Sequence, residues 1–191
     1  MAKTESTFKN MALSLTIITL VASACLGFVY ELTKEPIAVS ILNKKLEAIS
    51  NVVPEFNNDP NAAMFMIAGL NGDSLEVYPA MKDGDTVGFA VNTFTTTGFS
   101  GNISLMAGFK PDGTIVNITV LEQKETPGLG TKMTEPEFKN QFNDKNPADF
   151  ELKVKKDGGP VDAITAATIS SRAFCDAVTK AYNTLQKGGM K

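Results

Sequence analysis

Between Met11 and Tyr30 the chain runs for 20 residues without a charge. About 20 apolar residues is the length a helix needs to cross the hydrocarbon core of a bilayer. This stretch divides the chain into a short leading tail, a membrane-crossing segment and everything that follows. Two other uses compete for it. A signal peptide cleaved after Ala22-Ser23-Ala24 is one. A lipoprotein acylated at Cys25 is the other, although Ala22 is a poor substitute for the usual upstream Leu. The apolar run continues past both points through Leu26, Gly27, Phe28 and Val29, which favours an uncleaved anchor. Tyr30 then falls at the membrane interface. Lys3, Lys9 and the amino terminus precede the span, whereas Lys34, Lys44 and Lys45 follow it, so charge sets the orientation only weakly. The expected arrangement is residues 1–10 as an inner tail, 11–30 as the transmembrane helix, and the rest outside.

Beyond the span the periodicity changes twice. Residues 31–53 read as a connecting helix after Pro36, a residue suited to a first helical turn. Ile37, Ile41, Leu42, Leu46, Ile49 and Val53 share one face of it. Residues 54–63 read as a loop. From 64 onward the pattern becomes that of strands: Met64–Ala68, Ser74–Met81, Thr86–Thr95, Asn102–Lys110 and Thr114–Gln123. Turn residues separate them at Asn71-Gly72-Asp73, Lys82-Asp83-Gly84-Asp85, Gly98–Gly101 and Pro111-Asp112-Gly113. Asp83-Gly84-Asp85 lacks the remaining ligands of a calcium loop and reads as a hairpin turn. Residues 135–142 suggest a short helix and 150–155 a further strand. The expected fold is α+β: one N-terminal transmembrane helix, then a domain over 54–191 with a mainly antiparallel sheet and flanking helices.

Chemistry concentrates in Val161–Arg172. Thr165, Thr168, Ser170 and Ser171 place four hydroxyls within eight positions, and Arg172 is the one arginine of the chain. Ile169, Ala173, Phe174, Ala177, Val178, Ala181, Tyr182 and Leu185 follow at helical spacing. The hydroxyls therefore stand at a helix N-terminus, where unpaired N–H groups and the macrodipole favour an anion. Arg172 can fork onto phosphate oxygens there. The same residues also make ordinary helix caps with no ligand. Much else is excluded. The absence of histidine removes histidine-based triads and metal sites. Cys25 and Cys175 lie too far apart in sequence to signal a zinc or iron–sulfur motif, and a net charge of −3 gives no nucleic-acid signal. No metal ligands and no catalytic residue are expected.

The order Asp162-x-x-Thr165-Ala166-Ala167-Thr168-x-Ser170 resembles the flavinylation motif of bacterial FMN-binding domains, whose threonine carries FMN through a phosphoester bond. Thr168 is the matching residue; many such proteins have Gly where this chain has Ala166. Gly98-Phe99-Ser100-Gly101 and Glu125-Thr126-Pro127-Gly128-Leu129-Gly130 precede the motif in the same order. Over nearly its whole length the chain is similar to the G subunit of the Rnf complex, the ion-translocating ferredoxin:NAD oxidoreductase. It resembles, as an alternative, the C subunit of the sodium-pumping NADH:quinone oxidoreductase. A third reading is a membrane-anchored assembly or binding protein with no flavin.

The resemblance implies an α+β FMN-binding domain on the outer face of the cytoplasmic membrane. It implies attachment by a separate, magnesium-dependent transferase that splits FAD. It also implies electron relay among the membrane, flavin and iron–sulfur subunits of one complex, with no activity of the chain alone. Within this frame Thr168 supplies the linking oxygen and Asp162 acts in recognition or in holding the backbone. Thr165, Ser170, Ser171 and Arg172 contact phosphate, and small Ala167 leaves room for it. Phe99, Ser100 and the loop of Glu125, Thr126, Gly128, Leu129 and Gly130 flank the isoalloxazine ring. The two glycines of that loop permit unusual backbone angles or close approaches.

Overall fold

The computed structural model describes residues 7–69 and 72–188. Residues 1–6 of the expected tail and Asn71 of the expected turn lie outside the described residues. Helix α1 runs unbroken over Phe8–Val52, through both the expected span and the expected connecting helix. It is long and apolar enough to cross a membrane. Leu13, Leu15, Ile18, Leu20, Val21, Leu26 and Phe28 all point outward from it. Pro36 sits in its interior rather than in a first turn. A proline there removes one hydrogen bond to the preceding turn, and the helix-favouring residues on both sides carry the helix past it.

The chain divides into two units at Asn43/Lys44. The second unit is built on a five-stranded antiparallel meander. Its strands are β1 (Phe65–Ala68), β2 (Ser74–Lys82), β3 (Asp85–Gly98), β4 (Gly101–Phe109) and β5 (Ile115–Glu122), in the spatial order β1-β2-β3-β4-β5. β2 and β3 meet at Lys82↔Asp85, and the two turn residues, Asp83 and Gly84, both have positive φ (55° and 96°). That is the mirror-image turn whose twist matches a hairpin, so the aspartates there serve a turn.

Both faces of the sheet are covered, so its middle strands carry consecutive buried residues, Gly88–Val91 in β3 and Leu105–Phe109 in β4. Leu75, Val77, Phe89, Val91, Leu105, Ala107 and Ile118 face helix α3 (Thr168–Lys187) through Ala173, Phe174, Ala177, Val178 and Ala181. Tyr78, Ala80, Ala90 and Met106 face Ala48, Ile49 and Val52 in the last turns of α1. Gly108 lets those turns approach, since a Cβ on it would stand 1.7 Å from the Val52 carbonyl oxygen. Lys45 pairs with Glu76 at 2.7 Å on the same face. Cys175 is enclosed in α3, and burial pushes its thiol up to about 12, so it is a core residue and not a nucleophile.

The segment from 130 to 167 packs around the first half of α3. It contains a 3-10 turn (Gly130–Thr134), the short helix α2 (Pro136–Lys139) and a second 3-10 turn (Lys155–Asp157). Phe138, Phe142 and Phe174 stack mutually with ring centroids 5.1–5.6 Å apart. The strand expected over 150–155 does not form. Leu152 and Val154 alternate inward as a strand would, but among the described residues the segment makes one bridge, Val154↔Val161, and joins no sheet. Burial on one side produced the alternation without a partner strand.

Candidate functional site

Three segments far apart in sequence meet where α3 begins. The first is the tip of the β3–β4 hairpin, Gly98-Phe99-Ser100-Gly101, closed by the pairing Gly98↔Gly101. The second is the loop after β5. The third is the residues leading into α3. They enclose a cleft of about 290 Å³ lined by Phe99, Glu125, Thr126, Leu129, Gly130, Ala166, Ala167, Thr168, Ile169 and Ser170.

Glu125 holds them together. Its side chain is 5% exposed, and its two oxygens reach two different segments. Oε1 accepts from the Ser100 backbone N–H at 2.9 Å, and Oε2 accepts from the Ser170 hydroxyl at 2.5 Å. Hydrogen bonds to a charged acceptor are the stronger kind, and a carboxylate buried without them is heavily penalised. The surrounding glycines make room for it. A Cβ on Gly98 would stand 2.8 Å from Glu125 Oε1, and one on Gly130 2.7 Å from Glu125 Oε2 and from Ser170 Oγ. Gly128 differs: it has φ 75° and open space where a Cβ would stand, so its role is to permit the turn. The Thr126 carbonyl accepts from the Leu129 N–H at 3.1 Å, and the Gly128 N–H donates to the Thr131 hydroxyl at 3.0 Å. The loop is thus internally fixed while Thr126 and Leu129 remain exposed at the cleft.

The entry into α3 is fixed as tightly. Ala166 has φ 60°, the left-handed region where glycine is at ease. Ala167 occupies the cap position and offers no capping side chain. Ser171 is fully buried; its hydroxyl accepts from the Ile164 N–H at 2.9 Å and donates to the Ala167 carbonyl at 3.0 Å. Ser171 and Ser170 therefore use their hydroxyls to shape the site from behind. Thr168, the first residue of the helix, is half-buried at the cleft edge, and its Oγ1 accepts from Lys156 Nζ at 3.2 Å.

Not every residue singled out in the sequence lines this cleft. Arg172 forks onto Asp157, Nε to Oδ2 at 2.7 Å and NH2 to Oδ1 at 2.6 Å, and this pairing holds the Asp157 carboxyl below its usual range. Asp162 pairs with Lys155 at 2.7 Å, and its backbone exchanges hydrogen bonds with the Gln141 side chain at 2.7 and 3.2 Å. Asp162 and Thr165 line a second cleft, of about 360 Å³, together with Lys132, Glu135, Phe138 and Gln141. The motif thus borders one cleft with its first half and another with its second.

Comparison with known proteins decides the family. The G subunit of the ion-translocating oxidoreductase complex of Aliivibrio fischeri is 33% identical over 196 residues, covering 95% of this chain and 93% of that one. The same-named protein of Methanosarcina acetivorans is 33% identical over 193 residues, covering 94% and 96%. The chain belongs to this G-subunit family. The FMN-binding domain family matches residues 98–183, from the hairpin tip to near the end of α3. Among solved structures, the C subunit of the Na+-translocating NADH-quinone reductase of Parabacteroides distasonis is 22% identical, with a TM-score of 0.48, covering 71% of this chain and 76% of that chain.

In this member of the G-subunit family, three neighbours of the cleft are visible only in the fold. Lys156 touches Thr168 across 12 residues of sequence, Asp157 takes up the Arg172 fork, and Ile169, 47% exposed, forms an apolar wall. Residue spacing signals neither Lys156 nor Asp157. Ile169 fits the helical apolar stripe in sequence, yet stands at its solvent edge.

Proposed function

We propose that this chain is the flavin-carrying electron-transfer subunit of a membrane-bound ion-translocating ferredoxin:NAD oxidoreductase, with FMN joined to Thr168 by a phosphoester. The observation that carries this reading is the convergence of hairpin tip, glycine loop and motif on one cleft with the Thr168 hydroxyl at its edge. The residues suit the group. Phe99, Leu129 and Ile169 give the cleft apolar walls for a planar ring. Thr168 offers an oxygen beside an ammonium group, at a helix start with no side-chain cap, where the first N–H groups have no partner within the helix. Hidden in the cleft floor, the Glu125 carboxylate fixes the walls relative to one another.

Bound FMN supplies the redox chemistry; the protein supplies orientation and surroundings. Thr168 keeps the group in place through every turnover, which a weakly held carrier in an exposed domain would not survive. Leu129 and Phe99 exclude water from the ring, and lower local polarity strengthens the electrostatic influence of nearby groups. Attachment requires a flavin transferase that uses FAD as donor. Asp162 and Thr165, facing the second cleft, are the part of the motif that such an enzyme can grip without entering the flavin cleft. In this reading α1 anchors the chain in the cytoplasmic membrane, with residues 1–10 inside, the FMN-binding domain outside and the remaining subunits of the complex as partners.

In-gel fluorescence of the full-length protein after denaturing electrophoresis tests the assignment. A fluorescent band is expected when the protein is produced with a flavin transferase. A dark band under those conditions favours an assembly protein that carries no flavin.

A further inference from the structure

Three consecutive side chains of the 3-10 turn Lys155–Asp157 each reach one residue of the Asp162–Arg172 stretch. Lys155 pairs with Asp162 at 2.7 Å, Lys156 donates to Thr168 Oγ1 at 3.2 Å, and Asp157 receives the Arg172 fork. The turn's backbone is itself held rigidly. Lys155 N–H donates to the Val161 carbonyl at 2.8 Å, Asp157 N–H to the Val154 carbonyl at 2.8 Å, and Gly158 N–H to the Lys155 carbonyl at 3.1 Å. Gly158 closes the turn at φ 87°. Gly159 fits only without a side chain, since a Cβ would stand 2.2 Å from the Lys153 carbonyl oxygen. Lys156 is thus presented to Thr168 by a fixed frame, while the charges on either side of it are committed to other partners.

We propose that Lys156 is the phosphate-binding residue of the attachment site. It holds the Thr168 hydroxyl for phosphoryl transfer and afterwards stays as counter-charge to the phosphoester. This inference rests on the reading of Thr168 as the attachment point.

An ammonium group has donors and no acceptor. Its hydrogen bond therefore occupies a lone pair of Thr168 Oγ1 and leaves the hydroxyl proton directed elsewhere. During transfer the bond from Thr168 Oγ1 to the FMN phosphorus forms. The phosphorus–oxygen bond to the adenylate of FAD breaks, AMP leaves with that electron pair, and the threonine proton passes to a base of the transferase. No electrons are exchanged. Catalysis of phosphoryl transfer is largely a matter of position and of stabilising charge on the phosphoryl oxygens. Lys156, in contact with the oxygen that would attack, is placed to supply positive charge to them. The first turn of α3, capped by Ala167 with no side-chain acceptor, adds its own N–H groups and dipole.

The test uses full-length apo protein in detergent with a flavin transferase, FAD and magnesium, followed by intact mass against time. Lys156→Met is expected to slow labelling about tenfold, equivalent to about 1.4 kcal/mol, and Lys156→Arg to restore it to within about threefold. The apo melting temperature is expected to be unchanged in both, since Lys156 is exposed. A second readout is the rise in melting temperature on flavinylation. It is expected to shrink with added salt in the wild type and to be smaller and salt-insensitive in fully labelled Lys156→Met, as screening of an ion pair requires. Labelling of Lys156→Met at the wild-type rate with the wild-type rise overturns the role of Lys156 and leaves Thr168 untouched. Equal slowing in Lys156→Met and Lys156→Arg also overturns it, because the charge would then not be what matters. Wild-type label on a residue other than Thr168, or no label, overturns the attachment reading and this inference with it.

Discussion

Replacing Gly130 by alanine tests whether Glu125 is the post that holds the cleft together. Gly130 is absent from the residues with positive φ, so alanine meets no backbone penalty there. What it meets is contact. The new methyl would stand 2.7 Å from Glu125 Cβ, from Glu125 Oε2 and from Ser170 Oγ, closer than side-chain carbons pack. Overfilling a packed interior destabilises by about 1–3 kcal/mol. Prising Ser170 from a buried carboxylate adds about 1–3 kcal/mol. The effects share atoms and will not add fully, so about 3 kcal/mol is expected, which lowers the melting temperature by about 6–12 °C in a domain of this size. Gly128→Ala is the internal comparison. It places its methyl in open space and pays only for a left-handed backbone, about 1–2 kcal/mol. Thermal unfolding of the detergent-solubilised protein, followed by circular dichroism, ranks the two. Ser170→Ala combined with Gly130→Ala sharpens the result, since removing the hydroxyl relieves one of the contacts. The pair is expected to fall short of additivity by more than about 0.5 kcal/mol, the range typical of touching residues. If Gly130→Ala is the milder of the two glycine variants, or if the double variant is strictly additive, Glu125 does not organise the cleft as argued.

Three further outcomes follow from other parts of the fold. Ala166→Gly, which relieves the left-handed backbone at φ 60°, is expected to leave stability unchanged or raise it by up to about 1 kcal/mol after the entropy of glycine is counted; a loss of stability in the same melting assay would contradict this. Burial alone would raise the Glu76 pKa, but hydrogen bonds from Lys45, Asn92 and Tyr78 hold it below the ordinary value of 4.5. With the folded pKa lowered, the contribution of Glu76 is fully present above about 4.5 and is lost as pH falls through the folded value. Glu76→Gln should therefore lower the melting temperature near neutral pH by the equivalent of no more than about 1 kcal/mol, and the gap should close on acidification; a gap that widens in acid refutes the sign. Leu129→Ala is expected to keep the flavin attached while shifting its redox midpoint in a spectroelectrochemical titration, and an unchanged midpoint would place the ring away from the loop.

The sheet and α3 were legible because each depends on a short-range period. The strands are apolar, β-branched runs bounded by turn residues, the apolar stripe from Ala173 to Leu185 has helical spacing, and Asp83-Gly84 carries the chemistry of its own turn. Longer-range facts were not legible in this way. Leu152 and Val154 alternate as strand residues do, yet alternation reports which side is buried, not whether a second strand lies alongside. Pro36 suggested a helix start because local propensity favours it there, while the flanking sequence sustained one helix through it. In the cleft, the loop and the motif each carry a local signature of their own, and the hydroxyl cluster reads in sequence as several phosphate donors. The fold instead turns Ser170 and Ser171 inward, because a buried carboxylate and unpaired backbone groups need partners that only tertiary structure brings near. Lys156 had no local pattern at all; its contact with Thr168 exists through the turn at Gly158 and the bridge between Val154 and Val161.

The central claim is that Thr168 carries the flavin, and peptide mapping by tandem mass spectrometry tests it most directly. The full-length protein is produced with its flavin transferase, digested, and the flavin-bearing peptide fragmented. The modification is expected on Thr168, as one FMN phosphoester, with Thr165 unmodified and with no flavin-bearing peptide after Thr168→Ala. Flavin located on Thr165, or retained covalently by the Thr168→Ala protein, would contradict the account.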